Sequence, residues 1–220
     1  MDFEPTGRFV VVVGIDGAGK TSAVENLRDR LEAAGQATAL FRSRPYFAWW
    51  ANERLHDSDR SWSIDSLFLA LTIETLKELI WEAVPMLASY PVVLADRHPL
   101  CMVAKGIRAG ISPKASAELR DLLSIAPRPS VVAWLDLHPE IAANRLVARG
   151  DQTVDLSGLK ALRAAYGHVL RDFPTHRIDS AESAATIVEQ LYQLALPGTE
   201  VGTSDLKPSY AGCHHPVIPQ

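Results

Sequence analysis

Phe9-Val10-Val11-Val12-Val13, followed at once by Gly14-Ile15-Asp16-Gly17-Ala18-Gly19-Lys20-Thr21, is the stretch that decides the fold. An apolar run without polar alternation predicts a strand buried on both faces, as strands inside parallel sheets are. The residues after it match G-x-x-x-x-G-K-[ST], and residues 21–34, with Val24, Leu27 and Leu31 on one face, predict a helix. In that order, strand, glycine-rich turn and helix make a cradle for phosphate. The glycines let backbone N–H groups turn inward around phosphate oxygens at the positive end of the helix. Lys20 supplies a point charge to the β- and γ-phosphates, and the Thr21 hydroxyl suits Mg²⁺. Ser22 extends the same donor-nucleotide stretch, so ATP and Mg²⁺ are the expected cofactors. Asp16 is a carboxylate among phosphate-binding amides. That is an awkward place unless it meets Mg²⁺ or orients an acceptor group.

Outward from the loop, short β-branched runs alternate with longer helical patterns. Residues 37–41 predict a second strand after the Gly35 stop, 91–95 a third that ends at Asp96, and 131–137 a fourth. Arg177-Ile178 reads as a short last strand. Helices are expected at 64–87, with Pro85 ending or kinking it, at 139–148 behind a first-turn proline, at 157–170 and at 184–196. This alternation predicts a three-layer α/β/α fold around a central parallel sheet, of the P-loop NTPase type. Residues 1–197 read as one domain. Residues 198–220, rich in Gly, Pro, Ser and Thr without periodicity, read as a flexible tail. Residues 42–63 read as irregular and rich in Arg and aromatics.

Composition narrows the function. The 220 residues carry a net charge of −4, which argues against a nucleic-acid-coating surface, since a polyanion needs a net basic face. A small phosphate ligand needs only a few placed cations. The two cysteines, Cys101 and Cys213, have no zinc or redox spacing and predict reduced thiols in the cytoplasm. The first residues lack the basic start and apolar core of a secretory signal. The most apolar stretch, 64–87, is interrupted by Asp65, Glu74, Lys77, Glu78 and Glu82, so no membrane span is expected. Cys213-His214-His215 offers too few ligands for a closed metal site.

In its ordered set of motifs the chain resembles the thymidylate kinase family of P-loop nucleoside monophosphate kinases. The loop at 14–21, with its acidic Asp16, is similar to that family's loop, and Asp96-Arg97-His98 to its D-R-[YFH] motif. Trp134-Leu135-Asp136-Leu137-His138-Pro139-Glu140, running to Arg145 and Arg149, is similar to the strand and helix before its lid. Arg163-Ala164-Ala165-Tyr166 and Arg177-Ile178-Asp179-Ser180 also fall in family-like positions. The resemblance implies transfer of the ATP γ-phosphate to a nucleoside monophosphate in nucleotide biosynthesis, with homodimerisation a family-level expectation. Asp16, Lys20, Arg97 and Arg149 are then the catalytic set, with Asp96 and Thr21 on the metal. Physical chemistry supports these roles. Asp96 ends a parallel strand at the carboxyl edge where ligands sit, and Arg97 can fork onto a phosphate as Lys cannot. Arg145 and Arg149 share a helix face. Arg149 would enter a lid over the transferring phosphoryl group, and Arg145 would flank the nucleotide base.

The acceptor side departs from that pattern. Where the family carries an Arg-Glu-Pro-Gly-Gly-Thr-like segment, this chain has Arg42-Ser43-Arg44-Pro45-Tyr46-Phe47-Ala48-Trp49-Trp50. Either Arg42 or Arg44 is the candidate for gripping the acceptor phosphate. Thr72 stands at the position of the base-reading arginine, Cys101 and Met102 at polar base-contacting positions, and Lys105 at a stacking tyrosine. Thr72, Met102 and Tyr166 are carried as acceptor-side positions. Tyr46, Phe47, Trp49, Trp50 and Trp62 are expected mostly in the core, with stacking on a planar acceptor as the alternative. Asp96-Arg97-His98-Pro99 also resembles the D-R-H-P segment of herpesvirus-type thymidine kinases, whose Glu base precedes a proline. Here Arg44-Pro45 stands at that place, and an Arg suits an acceptor that already carries phosphate. A nucleoside or other small-molecule kinase and a non-catalytic nucleotide-binding module are the two rival readings.

Overall fold

The computed structural model of the chain describes residues 7–43, 46, 47, 50 and 63–196. Arg44, Trp49, Trp62 and residues 198–220, with Cys213-His214-His215, lie outside the described residues.

The first strand, β1 (Arg8–Val13), lies at the centre of a five-stranded sheet. The others are β2 (Thr38–Arg42), β3 (Val92–Asp96), β4 (Val131–Asp136) and β5 (Thr175–Asp179), in the order β2-β3-β1-β4-β5. Every pairing is parallel. Residues Val10 to Val13 are completely buried, as a strand covered on both faces requires. β5 is the edge strand and is mostly exposed; only Ile178 of its five residues is buried. The chain passes from β1 to one side of the sheet and later returns to the other. The crevice at the carboxyl end of β1 is therefore the topological switch point, where α/β sheets bind ligands.

Helix α1 (Lys20–Ala33) buries Val24, Leu27 and Leu31 and packs against the last helix, α8 (Ala184–Ala195). On the other side, α2 (Ile64–Glu78), α4 (Leu100–Ala109), α5 (Pro113–Leu123) and α7 (Leu156–Val169) form a second packed group. Helix α6 (Pro139–Arg149) follows β4 and packs on α7. The result is the expected three-layer α/β/α arrangement.

The long helix behind β2 is not uniform. Ser63 Oγ caps its start by accepting from the Ser66 N–H at 3.1 Å. After Glu78 the backbone widens into a π-turn over Leu79–Ala83 and resumes as α3 (Val84–Ser89). Pro85 explains the break, because it has no N–H to donate and its ring would strike the carbonyl one turn back; a wider turn makes room. The chain turns extended at Tyr90, immediately before Pro91.

One buried carboxylate ties the lid-side helices to the sheet. Asp136, the last residue of β4, accepts a fork from Arg163 of α7 (Nε to Oδ1 at 2.6 Å, Nη2 to Oδ2 at 2.8 Å) and further bonds from Arg177 of β5. Burial alone would raise the Asp136 carboxyl, but these arginine hydrogen bonds hold it below the usual range. The Arg177 guanidinium also lies 5.5 Å from the centre of the Trp134 ring.

Candidate active site

The phosphate loop is shaped by the backbone behind it. A Cβ on Gly14 would fall 2.5 Å from the Leu135 carbonyl oxygen, and one on Gly17 would fall 2.8 Å from that of Ala142. Strand β4 and helix α6 thus press so closely that only glycine fits. Ser180, just past β5 and fully buried, donates its hydroxyl to the Ala18 carbonyl at 2.7 Å. Its own N–H donates to the Asp136 carbonyl, and its carbonyl accepts from Arg145 Nη2 at 3.0 Å. At the front, α1 begins from Gly19 in a left-handed conformation with no side chain capping its first turn. Helix-terminal N–H groups left without a side-chain partner suit an oxyanion.

Lys20 is buried, and its ammonium donates to the Ile15 carbonyl at 2.8 Å while lying 4.0 Å from Asp16 Oδ1. Burial pulls its pKa down, against the opposing pull of Asp16. Beside it, Thr21 Oγ donates to Asp96 Oδ2 at 2.7 Å. The other carboxylate oxygen, Asp96 Oδ1, is buried without a hydrogen-bond partner among the described residues. An orphaned carboxylate oxygen beside a Thr hydroxyl fits a hard cation that takes few protein ligands and keeps its waters. No cluster of three or more His, Cys, Asp or Glu occurs among the described residues.

Arg97 follows Asp96 with φ 87°, and among the described residues it is the one non-glycine with positive φ. A strained backbone held by well-packed surroundings is a mark of functional positions. It aims the guanidinium so that Nη2 lies 3.6 Å from Asp16 Oδ1. Burial would raise the Asp16 carboxyl, but Lys20, Lys105, Arg97 and Arg108 together hold it below its usual value, so it is ionised. His98 turns the other way, into the core, where burial pushes its pKa down to about 3 and keeps it neutral.

The remaining expected residues divide. Arg149, the last residue of α6, is exposed, pairs with Asp151 at 2.7 Å and acts electrostatically on Asp16. Arg145 reaches Ser180 as described. The Arg42 guanidinium is held by Glu25 of α1 and lines an open cleft of about 500 Å³ with Arg28, Leu40, Glu78 and Glu82. Thr72 is engaged by its own helix. It is fully buried and its hydroxyl donates back to the Phe68 carbonyl of its own helix at 2.8 Å, the usual resting place of a helical Thr. Met102 and Tyr166 are core residues, and burial raises the Tyr166 phenol well above its usual range. Among the aromatics, Tyr46 is exposed, whereas Phe47 and Trp50 pack on the core with their rings 5.4 Å apart.

Two parts of the site escaped the sequence reading. The Ser180 tether has no motif, since a serine after a strand is ordinary. The pairing of Asp136 with Arg163 and Arg177 joins residues distant in sequence, although each had been noted separately.

With the loop, the Thr21–Asp96 contact and the Asp16–Arg97 pair all at the switch point, likeness to known proteins can be weighed. The sequence pattern of the family described as Thymidylate kinase matches residues 12–191. A thymidylate kinase of Xanthomonas oryzae pv. oryzae (strain PXO99A) is 30% identical over 200 residues, covering 88% of this chain and 85% of that protein. One from Xanthomonas campestris pv. campestris (strain B100) is 30% identical over 204 residues, covering 89% and 86%. One from Akkermansia muciniphila is 32% identical over 173 residues, covering 76% and 81%. A match that runs from inside β1 into α8 takes in every strand and every residue of the crevice, and on that extent the chain belongs to the thymidylate kinase family, ATP-dependent kinases of nucleoside monophosphates.

Proposed function

We propose that this chain moves the γ-phosphate of ATP to a deoxynucleoside monophosphate, with thymidylate the first acceptor to test. The observation that carries the reading is the Asp16–Arg97 pair facing the Thr21–Asp96 contact across the end of β1. Lys20 and the N–H groups of the loop hold the donor phosphates, the ammonium leaving the Ile15 carbonyl to do so. Thr21 and Asp96 hold Mg²⁺, which when bound with ATP neutralises the charge of the phosphate oxygens. Arg97 grips the acceptor phosphate, and Asp16, ionised and one contact away, fixes the orientation of Arg97 and of the acceptor. Arg149 exchanges Asp151 for the transferring phosphoryl group as the segment after α6 closes. Phosphoryl transfer asks mainly for position and charge neutralisation, and these groups supply both.

With Arg42 held by Glu25, Arg44 is the better candidate for a second acceptor arginine. The Thr72 hydroxyl and the Tyr166 phenol are buried and Met102 offers only a thioether, so selectivity here rests on the acceptor's phosphate more than on its base. No helix among the described residues is long and apolar enough to cross a membrane. We read the chain as a cytoplasmic kinase domain over residues 1–197 that takes small nucleotides rather than nucleic acid, with homodimerisation following its family.

A coupled ADP-release assay over deoxy- and ribonucleoside monophosphates and the matching nucleosides tests the proposal. Turnover on monophosphates, thymidylate among them, is expected. Turnover on nucleosides with none on monophosphates would overturn it.

A further inference from the structure

Helix α4 follows Arg97 and places Cys101, Lys105 and Arg108 on one face at i, i+4 and i+7. That helix packs on α7, and Cys101 and Tyr166, one from each helix, are both buried. Of the cations around the crevice, Lys20 and Arg97 have partners, and Arg108 is exposed to solvent. Lys20 donates to the Ile15 carbonyl and faces Asp16. Arg97 pairs with Asp16. Arg108 reaches the start of α7, where its Nη1 lies against Gly158 and in the field of Asp155. Lys105 is left over. It is half-buried, yet its ammonium has no hydrogen bond and no ion pair among the described residues. The charges that act on it are those of the crevice: Arg97 and Arg108 repel it, and Asp16 attracts it. Burial and Arg97 together lower its pKa, the condition of an ammonium waiting for an anion.

We propose that Lys105 is a specificity-determining residue that binds the acceptor's phosphate dianion together with Arg97. This rests on the kinase reading above and deepens it. A half-buried ammonium without a partner is costly, and a dianion beside Arg97 removes that cost for both cations at once. A neutral nucleoside hydroxyl does not. The pocket therefore selects phosphorylated acceptors by charge, where Thr72 and Met102 offer no base-reading contact.

The test compares the full chain with Lys105→Met and Lys105→Arg. Steady-state kinetics with Mg·ATP and thymidylate are combined with equilibrium binding of inorganic phosphate to protein whose donor site is filled with a non-hydrolysable ATP analogue. In Lys105→Met the KM for thymidylate should rise about thirtyfold, the size expected for truncating one partner of a buried charge contact, while the KM for ATP stays within about twofold. Phosphate affinity should fall in parallel, and Lys105→Arg should recover most of both. A thymidylate KM within about twofold of the wild type, or an equal rise for ATP, would overturn the assignment. If the wild type turns over no monophosphate, the kinase reading fails, and phosphate affinity alone decides Lys105: a loss in Lys105→Met sustains it as an anion ligand, and no change rejects it.

Discussion

Ser180 Oγ donates to the Ala18 carbonyl at 2.7 Å, so the residue after the last strand fixes the shape of the loop after the first. Removing the hydroxyl leaves a buried carbonyl without its donor, at a cost of about 1–3 kcal/mol. Ser180→Ala should therefore lower the melting temperature by roughly 2–12 °C for a chain of this size. Because Ala18 belongs to the donor cradle, the KM for ATP should rise about fivefold, with the acceptor KM unchanged. Calorimetry and ATP titrations check the two effects separately.

Arg97 combines a left-handed backbone with a ligand-facing guanidinium. Arg97→Gly relieves the backbone strain but adds chain entropy to the unfolded state, so stability should change by about 1 kcal/mol or less. Turnover on the acceptor should nonetheless fall by about a hundredfold or more, from loss of positioning and charge. Urea titration beside steady-state kinetics would reveal this split. A large stability loss would show that the side chain is structural.

Asp96→Asn keeps the size of the side chain and an oxygen to accept from Thr21, but removes the charge. The Mg²⁺ concentration for half-maximal rate should rise about tenfold, and the rate at saturating Mg²⁺ should fall about a hundredfold. Rates measured across a Mg²⁺ series distinguish this from a folding defect, which no amount of the ion would offset.

His98 gives the chain a pH dependence of its own. Its native pKa is about 3, whereas the free side chain titrates at 6.5. Between those values the unfolded chain binds a proton that the folded one does not, so stability falls as the pH falls, by up to about 1.4 kcal/mol per pH unit. Asp16 and Asp136, depressed from 3.8, add their losses only at lower pH. Urea unfolding at pH 6.5, 5.5 and 5.0 should therefore show a decline that His98→Phe flattens.

Where local chemistry leaves a pattern, the sequence was readable. The valines of β1, the glycines and Lys20 of the loop, and Asp96-Arg97 at the end of β3 each follow from a rule about strands, turns or charges, and each lies where expected. β5 was read at only Arg177-Ile178, because Thr175, His176 and Asp179 are polar residues on an exposed edge. Helices α4 and α5 went unread: α4 mixes Gly106 and small residues into its core-facing side, and α5 announces itself only through Ser112 and Pro113. The pairing of Arg42 with Glu25 depends on where α1 lies beside β2, which no local pattern encodes. For the same reason, the missing partner of Lys105 emerges only when the surrounding cations are placed in three dimensions.

The central place of β1 has a consequence for the chain as it leaves the ribosome. The loop is complete once residue 21 has been made, but the backbone that presses on Gly14 and Gly17 belongs to Leu135 and Ala142, and the hydroxyl that holds Ala18 to Ser180. A nascent chain therefore carries its nucleotide signature through most of synthesis without the walls that give it shape. The loop has its full set of wall contacts only once residue 180 has been added.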